Sequence, residues 1–351
     1  MTLLSDTLST VQYCPILMTR PAEMNALQNL SRTDKKQILP AFLIRKWANS
    51  KSIDKTTDKI GEGFEQLPWI GDLDQEHIAS GNTLTQLVEL SDPTNGFERW
   101  CKFAADQEWM IPCAQLTKPT ELTAQVKMLL GLNRGLAVRF SYLQFGEIPK
   151  IISAIASCQP EDIIVFLDYG YVKKSNLLEV ATCISHIDLI SKVMPNAWIA
   201  VSATTFPEDF GSITEAPIDE RHFFNAVRSK RPKQKLIYSD RGSARDSKPR
   251  GGGTVPPPRI DYPTFDRWYF RREPEDGYAK AAQGIKALID WKNRPPVWGV
   301  QLIERTANGD PFGINSPVKA TAARINIHLH NQIFYDNQSA ATLDEEEPWV
   351  D

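Results

Sequence analysis

The stretch IIVFLDYG, residues 163–170, decides the fold: five consecutive apolar residues are followed by an aspartate, Asp168. A strand that is buried on both faces of a parallel sheet has this composition, because neither face can be polar. Similar runs recur along the chain, each closing on a polar residue before a helical pattern: ILMTRPAE (16–23), ILPAFLIRK (38–46), WMIPCAQL (109–116), LAVRFSYL (136–143), WIAVSATTFP (198–207) and LIYSDRG (236–242). The repetition indicates successive strand-then-helix units.

The runs predict eight strands, at Gln12–Thr19, Gln37–Arg45, Trp69–Asp72, Trp109–Gln115, Leu136–Ser141, Ile163–Asp168, Ala197–Thr204 and Lys235–Asp240. Eight parallel strands with intervening helices in about 250 residues have the size of a closed (β/α)₈ barrel. We therefore predict an α/β, TIM-barrel-like fold with a C-terminal extension. An open doubly wound parallel sheet is the alternative, although no Gly-rich dinucleotide turn follows any of the strands.

The pattern changes after the eighth strand, which suggests four segments. Residues 1–241 form the predicted barrel core, and residues 242–264, rich in Arg, Gly and Pro, form a predicted mobile loop. Residues 265–336 are expected to pack on the barrel as a strand and helices, the last of them at Pro317–Tyr335. Residues 337–351 form an acidic tail.

The composition is that of an ordinary globular protein. Among 351 residues there are 40 Lys and Arg against 43 Asp and Glu, so no global basic field recruits nucleic acid. No apolar stretch reaches the roughly 18 residues of a membrane helix, and we expect a cytoplasmic protein without membrane contact. The five cysteines are scattered without a CxxC pair, so Cys14 and Cys113 are interpreted as core residues.

Strong catalytic motifs are absent from the sequence. It contains no GxxxxGK[ST], GxGxxG, HExxH or GxSxG pattern, so no cofactor is assigned. Asp72 and Asp74 could present two carboxylates to a divalent metal, but loop acids of this kind are usually turn formers. His328 and His330 would share a face only in a strand, and a helix is predicted there. No metal site is therefore predicted.

Polar residues at the predicted strand ends are the candidate site, because these ends converge at one mouth of a barrel. Glu23, Asp168 and Asp240 are the candidate acid/base groups. The candidate ligand-binding residues are Arg20, Arg45, Arg139, Ser141, Ser202, Arg241 and Arg271. Guanidinium forks match phosphate and carboxylate groups, so such a ring suits an anionic ligand. The alternative is that the Arg and Asp residues form structural salt bridges, and both possibilities remain open.

The segment Arg228–Arg259 is locally basic. Its part Arg241–Arg259 could contact single-stranded nucleic acid or an acidic partner, or could merely keep a loop soluble. Aromatic residues, on which bases would stack, begin only at Tyr262, so these possibilities are not separated.

The opening QYCPILMTRPAEMNALQNL, followed by ILPAFLIRK, resembles the start of the phage "beta protein" family. The later elements FLDYG, VSATTFP, YSDRGS and WYFRRE…NIHLH follow the same order, so the resemblance extends from about Tyr13 to Phe334. The chain departs from the family in an Arg-Gly-Pro insertion at Ser243–Pro258 and in Arg20, where a Lys is common.

The resemblance implies a (β/α)-barrel-like protein of prophages and satellite phages. It further implies that the chain binds and restrains, or cooperates with, a toxic or defence effector protein encoded beside it, in a cassette linked to phage defence. The resemblance implies no reaction. The rival hypothesis from the residues themselves is an enzyme or sensor that binds a phosphate-bearing small molecule or nucleotide at the barrel mouth, with Arg20, Arg45, Arg139 and Arg241 as anion clamps.

Overall fold

A computed structural model describes residues 2–81, 83–172, 179–208, 213–244 and 257–342. Its strands are β1 (Ile16–Met18), β2 (Ala41–Ile44), β3 (Trp69–Leu73), β4 (Met110–Ala114), β5 (Leu136–Ser141), β6 (Ile163–Tyr171), β7 (Trp198–Thr204), β8 (Glu215–Pro217), β9 (Leu236–Asp240), β10 (Arg259–Pro263) and β11 (Arg267–Arg272). Eight of them form one sheet in the order β1-β2-β3-β4-β5-β6-β7-β9, and every neighbouring pair is parallel.

The sheet curves until its two edges meet. Tyr13, just before β1, bridges to Tyr238 of β9, and the Cys14 backbone N–H donates to the Tyr238 carbonyl at 2.9 Å. The sheet is thus nearly closed into a barrel, which confirms the TIM-barrel-like prediction over the open doubly wound alternative. β1 and β2 are shorter than predicted, because Pro15 and Pro40 precede them and lack the N–H that a ladder needs.

Most of the described helices pack on the outside of the barrel. The helices are α1 (Leu3–Leu8), α2 (Pro21–Gln28), α3 (Arg32–Lys35), α4 (Asp54–Phe64), α5 (Gln75–Ala79), α6 (Thr85–Leu90), α7 (Thr94–Asp106), α8 (Leu122–Leu130), α9 (Ile148–Ala156), α10 (Val180–Val193), α11 (Asp219–Lys230), α12 (Gly277–Lys286), α13 (Trp298–Ala307) and α14 (Pro317–Ile333). Short 3₁₀ segments lie at Pro119–Glu121, Tyr142–Glu147, Ile289–Asn293, Tyr335–Asn337 and Ala340–Thr342. Among the described residues, no helix combines the length and apolarity that crossing a bilayer needs.

Alternate strand residues divide between two apolar layers. Ile164 and Phe166 of β6 point into the barrel, where Leu4 and Leu8 of α1 join the same cluster. The intervening residues of the strands pack outward against the helices. Cys14 and Cys113 are buried free thiols, as the sequence predicts. This alternation decides which polar residues at the strand ends face the barrel interior.

The C-terminal residues form a second layer on the barrel. β10, β11 and β8 make an antiparallel sheet, and α14 packs between this sheet, α13 and α2. Residues 259–263, which the sequence places in a mobile loop, form β10 because Ile260 and Tyr262 are buried against α12 and α13. Residues 245–256, most of the loop considered for nucleic acid, and residues 343–351 of the acidic tail lie outside the described residues.

Candidate functional site

Asp168, at the carboxyl end of β6, is the centre of a polar network inside the barrel mouth. Its Oδ2 accepts hydrogen bonds from Nη1 of Arg139 at 3.0 Å and from Nη2 of Arg241 at 2.8 Å. Its Oδ1 accepts the backbone N–H of Gly170 at 3.0 Å. Three of the predicted site residues, contributed by β6, by β5 and by the chain just after β9, are therefore brought together as the parallel arrangement requires.

Arg139 links this carboxylate to a second one. Its Nε donates to Oδ2 of Asp72 at 2.7 Å, and Oδ1 of Asp72 also accepts Nε2 of Gln115 at 2.9 Å. Only 14% of the Arg139 side chain is exposed. Asp72, Arg139, Asp168 and Arg241 thus form a chain of two carboxylates and two guanidiniums with balanced charge. The two arginines are engaged by protein carboxylates, which favours a structural role.

The charges of this network stabilise one another. Burial alone raises the pKa of Asp168, but Arg241 and Arg139 more than offset it, so the pKa lies below the usual aspartate value. Burial by itself lowers the pKa of Arg139. Asp72 and Asp168 raise this pKa by more than burial lowers it, so the net change is an increase. Asp168 therefore stays ionised at neutral pH and is poorly suited to hold a transferable proton.

The serines of the candidate set behave differently from each other. Ser202 of β7 pairs in register with Asp168, and Ser239 of β9 pairs with Ser202. Both hydroxyls are fully buried and have no hydrogen-bond partner among the described residues. Ser141 instead caps the turn after β5 through its bond to Oε1 of Gln144 at 3.0 Å.

Arg20, Arg45 and Glu23 form a second cluster on the β1–β2 side of the mouth. Arg45 contacts Oδ2 of Asp74 at 3.4 Å and Nδ1 of His77 at 3.1 Å, while Arg20 contacts Oε1 of Glu23 at 3.4 Å. Burial raises the pKa of Glu23 more than the nearby arginines, Arg20 first, lower it. Glu23 is thus the member of the candidate acid/base set whose environment favours the protonated form.

Asp240 lies on the other face of β9. It accepts hydrogen bonds from the Tyr13 hydroxyl, from the Tyr238 hydroxyl at 2.9 Å and from the backbone N–H of Gly242 at 2.7 Å, and it pairs with Nε2 of His328 at 2.7 Å. Burial raises the pKa of Asp240, but His328 and the hydrogen bonds lower it more. Because side chains alternate along a strand, Asp240 anchors α14 from outside the barrel while its neighbours face the interior.

The remaining candidates are spread over the second layer. Arg271 of β11 donates to the carbonyls of Thr214 and Phe270 and does not join the mouth. His330 pairs with Oδ2 of Asp34 at 2.7 Å, so the two histidines of α14 bind different carboxylates. Within the described ranges, no three His, Cys, Asp or Glu side chains are grouped as a metal site.

A cleft of about 530 Å³ lies where the barrel meets the second layer. We call it the basic cleft, because four arginines and two acids are among the described residues that line it: Arg20, Arg259, Arg272, Arg324, Glu23 and Asp261. Asp261 accepts hydrogen bonds from two of these arginines. It accepts a fork from Arg259 at 2.7 and 3.0 Å, and it also pairs with Nη1 of Arg324. Among the described lining residues, positive charge is therefore in excess.

Of the residues that line this cleft, the sequence analysis proposed Arg20 and Glu23 for a site at the barrel mouth, and it named Arg259 only as the end of a basic segment. The other arginines lie in β10, β11 and α14, far along the chain from the barrel strands. The doublet Arg271-Arg272 within WYFRRE could have indicated an arginine on each face of a strand, because successive side chains of a strand point to opposite faces of its sheet. Nothing in the sequence indicated that Arg324 lines a cleft, since this residue lies within a helix that is mostly buried.

Comparison with known proteins places the chain in a phage family. The model of the family described as "Beta protein" matches residues 13–334. "Protein beta" of Enterobacteria phage P4 is 33% identical over 339 residues, covering 92% of both chains.

Similarity to solved structures is weak. A GH10 xylanase of Thermobacillus composti has a TM-score of 0.40 at 9% identity, over 68% of this chain and 86% of the xylanase chain. The carboxyl transferase domain of Rhizobium etli pyruvate carboxylase has a TM-score of 0.41 at 9% identity, over 98% of this chain and 50% of that chain. The family match and the phage relative together show that the chain belongs to the Beta protein family.

Proposed function

We propose that the protein binds an anionic, phosphate-bearing ligand in the basic cleft. The observation that carries this proposal is the excess of guanidinium groups around a ligand-sized cavity, four arginines against two acids. Guanidinium forks are matched to phosphate oxygens and remain charged at all physiological pH values. The volume of about 530 Å³ is within the range of small-molecule sites.

Two helix starts add positive potential to the same cleft. Pro21 and Ala22 at the start of α2 line it from one side, and Pro317 and Val318 at the start of α14 line it from the other. The first backbone N–H groups of a helix have no partner within the helix and carry partial positive charge. Phosphate groups are bound at such helix starts in many proteins.

The remaining lining is apolar and aromatic. Pro257, Tyr278, Pro317, Val318 and Ala320 supply this surface. A phosphate alone would leave it uncovered, whereas an organic phosphate such as a nucleotide would place its charged end at the arginines and its uncharged part here. The proposal thus keeps the phosphate-bearing ligand class of the sequence analysis and moves its site from the centre of the mouth to its flank.

Calorimetric titration with inorganic phosphate, pyrophosphate and ADP tests this proposal. We expect ADP and pyrophosphate to bind, and we expect Arg272→Gln and Arg259→Gln each to weaken binding about tenfold, as the loss of a charge-assisted hydrogen bond does. Arg99→Gln, at an exposed residue of α7, is the matched control and should bind as the wild type does. Absence of binding by all three anions, or equal affinity in all three variants, would refute the proposal.

A second candidate function is restraint of, or cooperation with, a toxic or defence effector protein encoded beside this chain. The supporting observation is an apolar pair in the 3₁₀ segment directly after β5, at the barrel mouth: Tyr142 is 58% exposed and Leu143 is 78% exposed. Contiguous exposed apolar side chains are typical of protein interaction sites. Similarity to a phage protein is consistent with such a setting.

Co-expression with the protein encoded next to this chain tests the second function. We expect the two proteins to co-purify, and we expect the double substitution Tyr142→Ser and Leu143→Ser to abolish co-purification and any protection from growth inhibition. Phe312→Ser, at a residue that is 68% exposed between α13 and α14, is the matched control. Separate migration of the wild-type proteins, or equal effects of the two sets of substitutions, would contradict this function.

A further inference from the structure

The structure contains a second cleft of about 530 Å³, at the opposite end of α14 from the basic cleft. The β10–β11 turn, the 3₁₀ segment Ile289–Asn293 and the residues just after α14 surround it. We call it the acidic cleft, because Asp266 and Asp290 line it and no Lys or Arg does among the described residues. We propose that the acidic cleft binds an organic cation, an amine or guanidine, through Asp290, Asp266 and the amide oxygen of Asn331.

Asn331 is the first observation that points to a donor-rich ligand. Its side-chain Nδ2 donates to the carbonyl of Pro263 at 3.0 Å, which fixes the orientation of the amide. Its Oδ1 is then an acceptor, and no described residue donates to it. Asn331 is only 2% exposed and lies in the wall of the cleft. A buried acceptor without a donor is costly, and a ligand N–H would satisfy it.

The two carboxylates add negative charge to this acceptor. Asp290 accepts the Tyr269 hydroxyl at 2.5 Å, and no ion pair with a Lys or Arg is described for it. A nearby cation, Arg267, interacts with that tyrosine and with Asp266. Asp266 lies 3.5 Å from Nε of Arg267, an exposed pair that screening weakens. His222 is the other ionisable group besides the tyrosines among the lining residues, and it is exposed.

Aromatic rings and the helix end favour the same ligand class. Tyr262, Phe265 and Tyr335 line the cleft, and aromatic faces attract cations. Tyr335 already holds one guanidinium, that of Arg221, 3.8 Å from its ring centre. The acidic cleft also lies at the C-terminal end of α14, where the helix carries partial negative charge. An anion would meet unfavourable potential from each of these groups.

Calorimetric titration with agmatine and spermidine tests the proposal, the first probe carrying a guanidinium and both carrying ammonium groups. We expect saturable binding at millimolar concentration or below. Asp290→Asn and Asp266→Asn should each weaken it about tenfold, as expected when a charge-assisted contact becomes a neutral one. Asparagine keeps the shape of both side chains and an oxygen for the Tyr269 hydroxyl, so the variants should fold.

Asp106→Asn, at an exposed residue of α7, is the matched control for charge, and Arg272→Gln is the control for the other cleft. Both should bind the amines as the wild type does. The proposal is overturned if neither amine binds, or if binding is equal in Asp290→Asn, Asp266→Asn and the controls. Saturable binding of ribose or glucose without binding of either amine would overturn it as well, because it would identify a neutral polyol site.

Discussion

Replacement of Asp168 by alanine should lower the free energy of unfolding by about 3–5 kcal/mol, the usual cost of removing one partner from a buried ion pair. Asp168 is the shared acceptor of Arg139 and Arg241, and its side chain is 1% exposed. Without it, Arg241 loses a buried carboxylate partner, and Arg139 loses one of its two carboxylates. Urea unfolding followed by circular dichroism measures the change.

Asp188→Ala is the matched control for this prediction. Asp188 receives a two-pronged contact from Arg231, at 2.7 and 2.6 Å, so the chemistry is the same. This pair lies on the surface, where such contacts contribute about 1 kcal/mol or less. A loss for Asp168→Ala no larger than that for Asp188→Ala would show that the mouth network does not hold the barrel together.

The contribution of Asp168 should also depend on pH. Its pKa in the folded protein lies below the ordinary value of 3.8, so the unfolded chain takes up a proton first as the pH falls. The stabilisation is therefore complete above pH 3.8 and is lost as the pH falls through the lower, folded-state pKa. The difference between wild type and Asp168→Ala should accordingly shrink in acid, and a difference that grows in acid would contradict the ion-pair explanation.

Replacement of His328 by alanine should destabilise the protein by a similar amount, about 3 kcal/mol or more, because it removes a fully buried side chain and a hydrogen bond to a buried carboxylate. His328 is fully buried and holds Asp240, on the outside of β9, at 2.7 Å. The two tyrosine hydroxyls and the Gly242 N–H remain as donors to Asp240. Urea unfolding again gives the magnitude.

Glutamine at residue 328 separates the lost contact from lost volume. In His328→Gln the amide nitrogen can reach Asp240, so much of the stability should return. His222→Ala, at an exposed residue of α11, should change stability by less than about 0.5 kcal/mol, as surface substitutions do. If the alanine and glutamine variants are equally unstable, the contact between His328 and Asp240 contributes little and packing explains the loss.

The sequence was sufficient to predict the barrel, because strands that are buried on both faces appear in it as continuous apolar runs. Such runs are recognisable one by one, and their parallel arrangement then brings Arg139, Asp168 and Arg241 to one rim. The same argument misplaced Asp240. Ser239, Asp240 and Arg241 are three consecutive polar residues, so the period of two that assigns faces is not visible at that strand end.

The C-terminal layer was less accessible from sequence. The final helix was predicted at Pro317–Tyr335 and is observed at Pro317–Ile333. Its start was predictable, because Ser316 caps it before a proline at the first helical position. Its polar residues are buried all the same, since each finds a partner in a distant segment: Arg324 in Asp261, His328 in Asp240 and His330 in Asp34. Such partners follow from the tertiary arrangement and leave no local pattern in the chain.

The contacts of α14 bear on how the protein is made. Asn326 donates to the carbonyls of Ala26 and Asn29, residues that leave the ribosome about 300 positions earlier. At a synthesis rate of about 5–20 residues per second, α14 is made tens of seconds after the first strand-helix unit that it covers. We infer that the newly made amino-terminal half exposes apolar surface throughout this interval, and that chains cut short before Pro317 are substrates for chaperones and proteases.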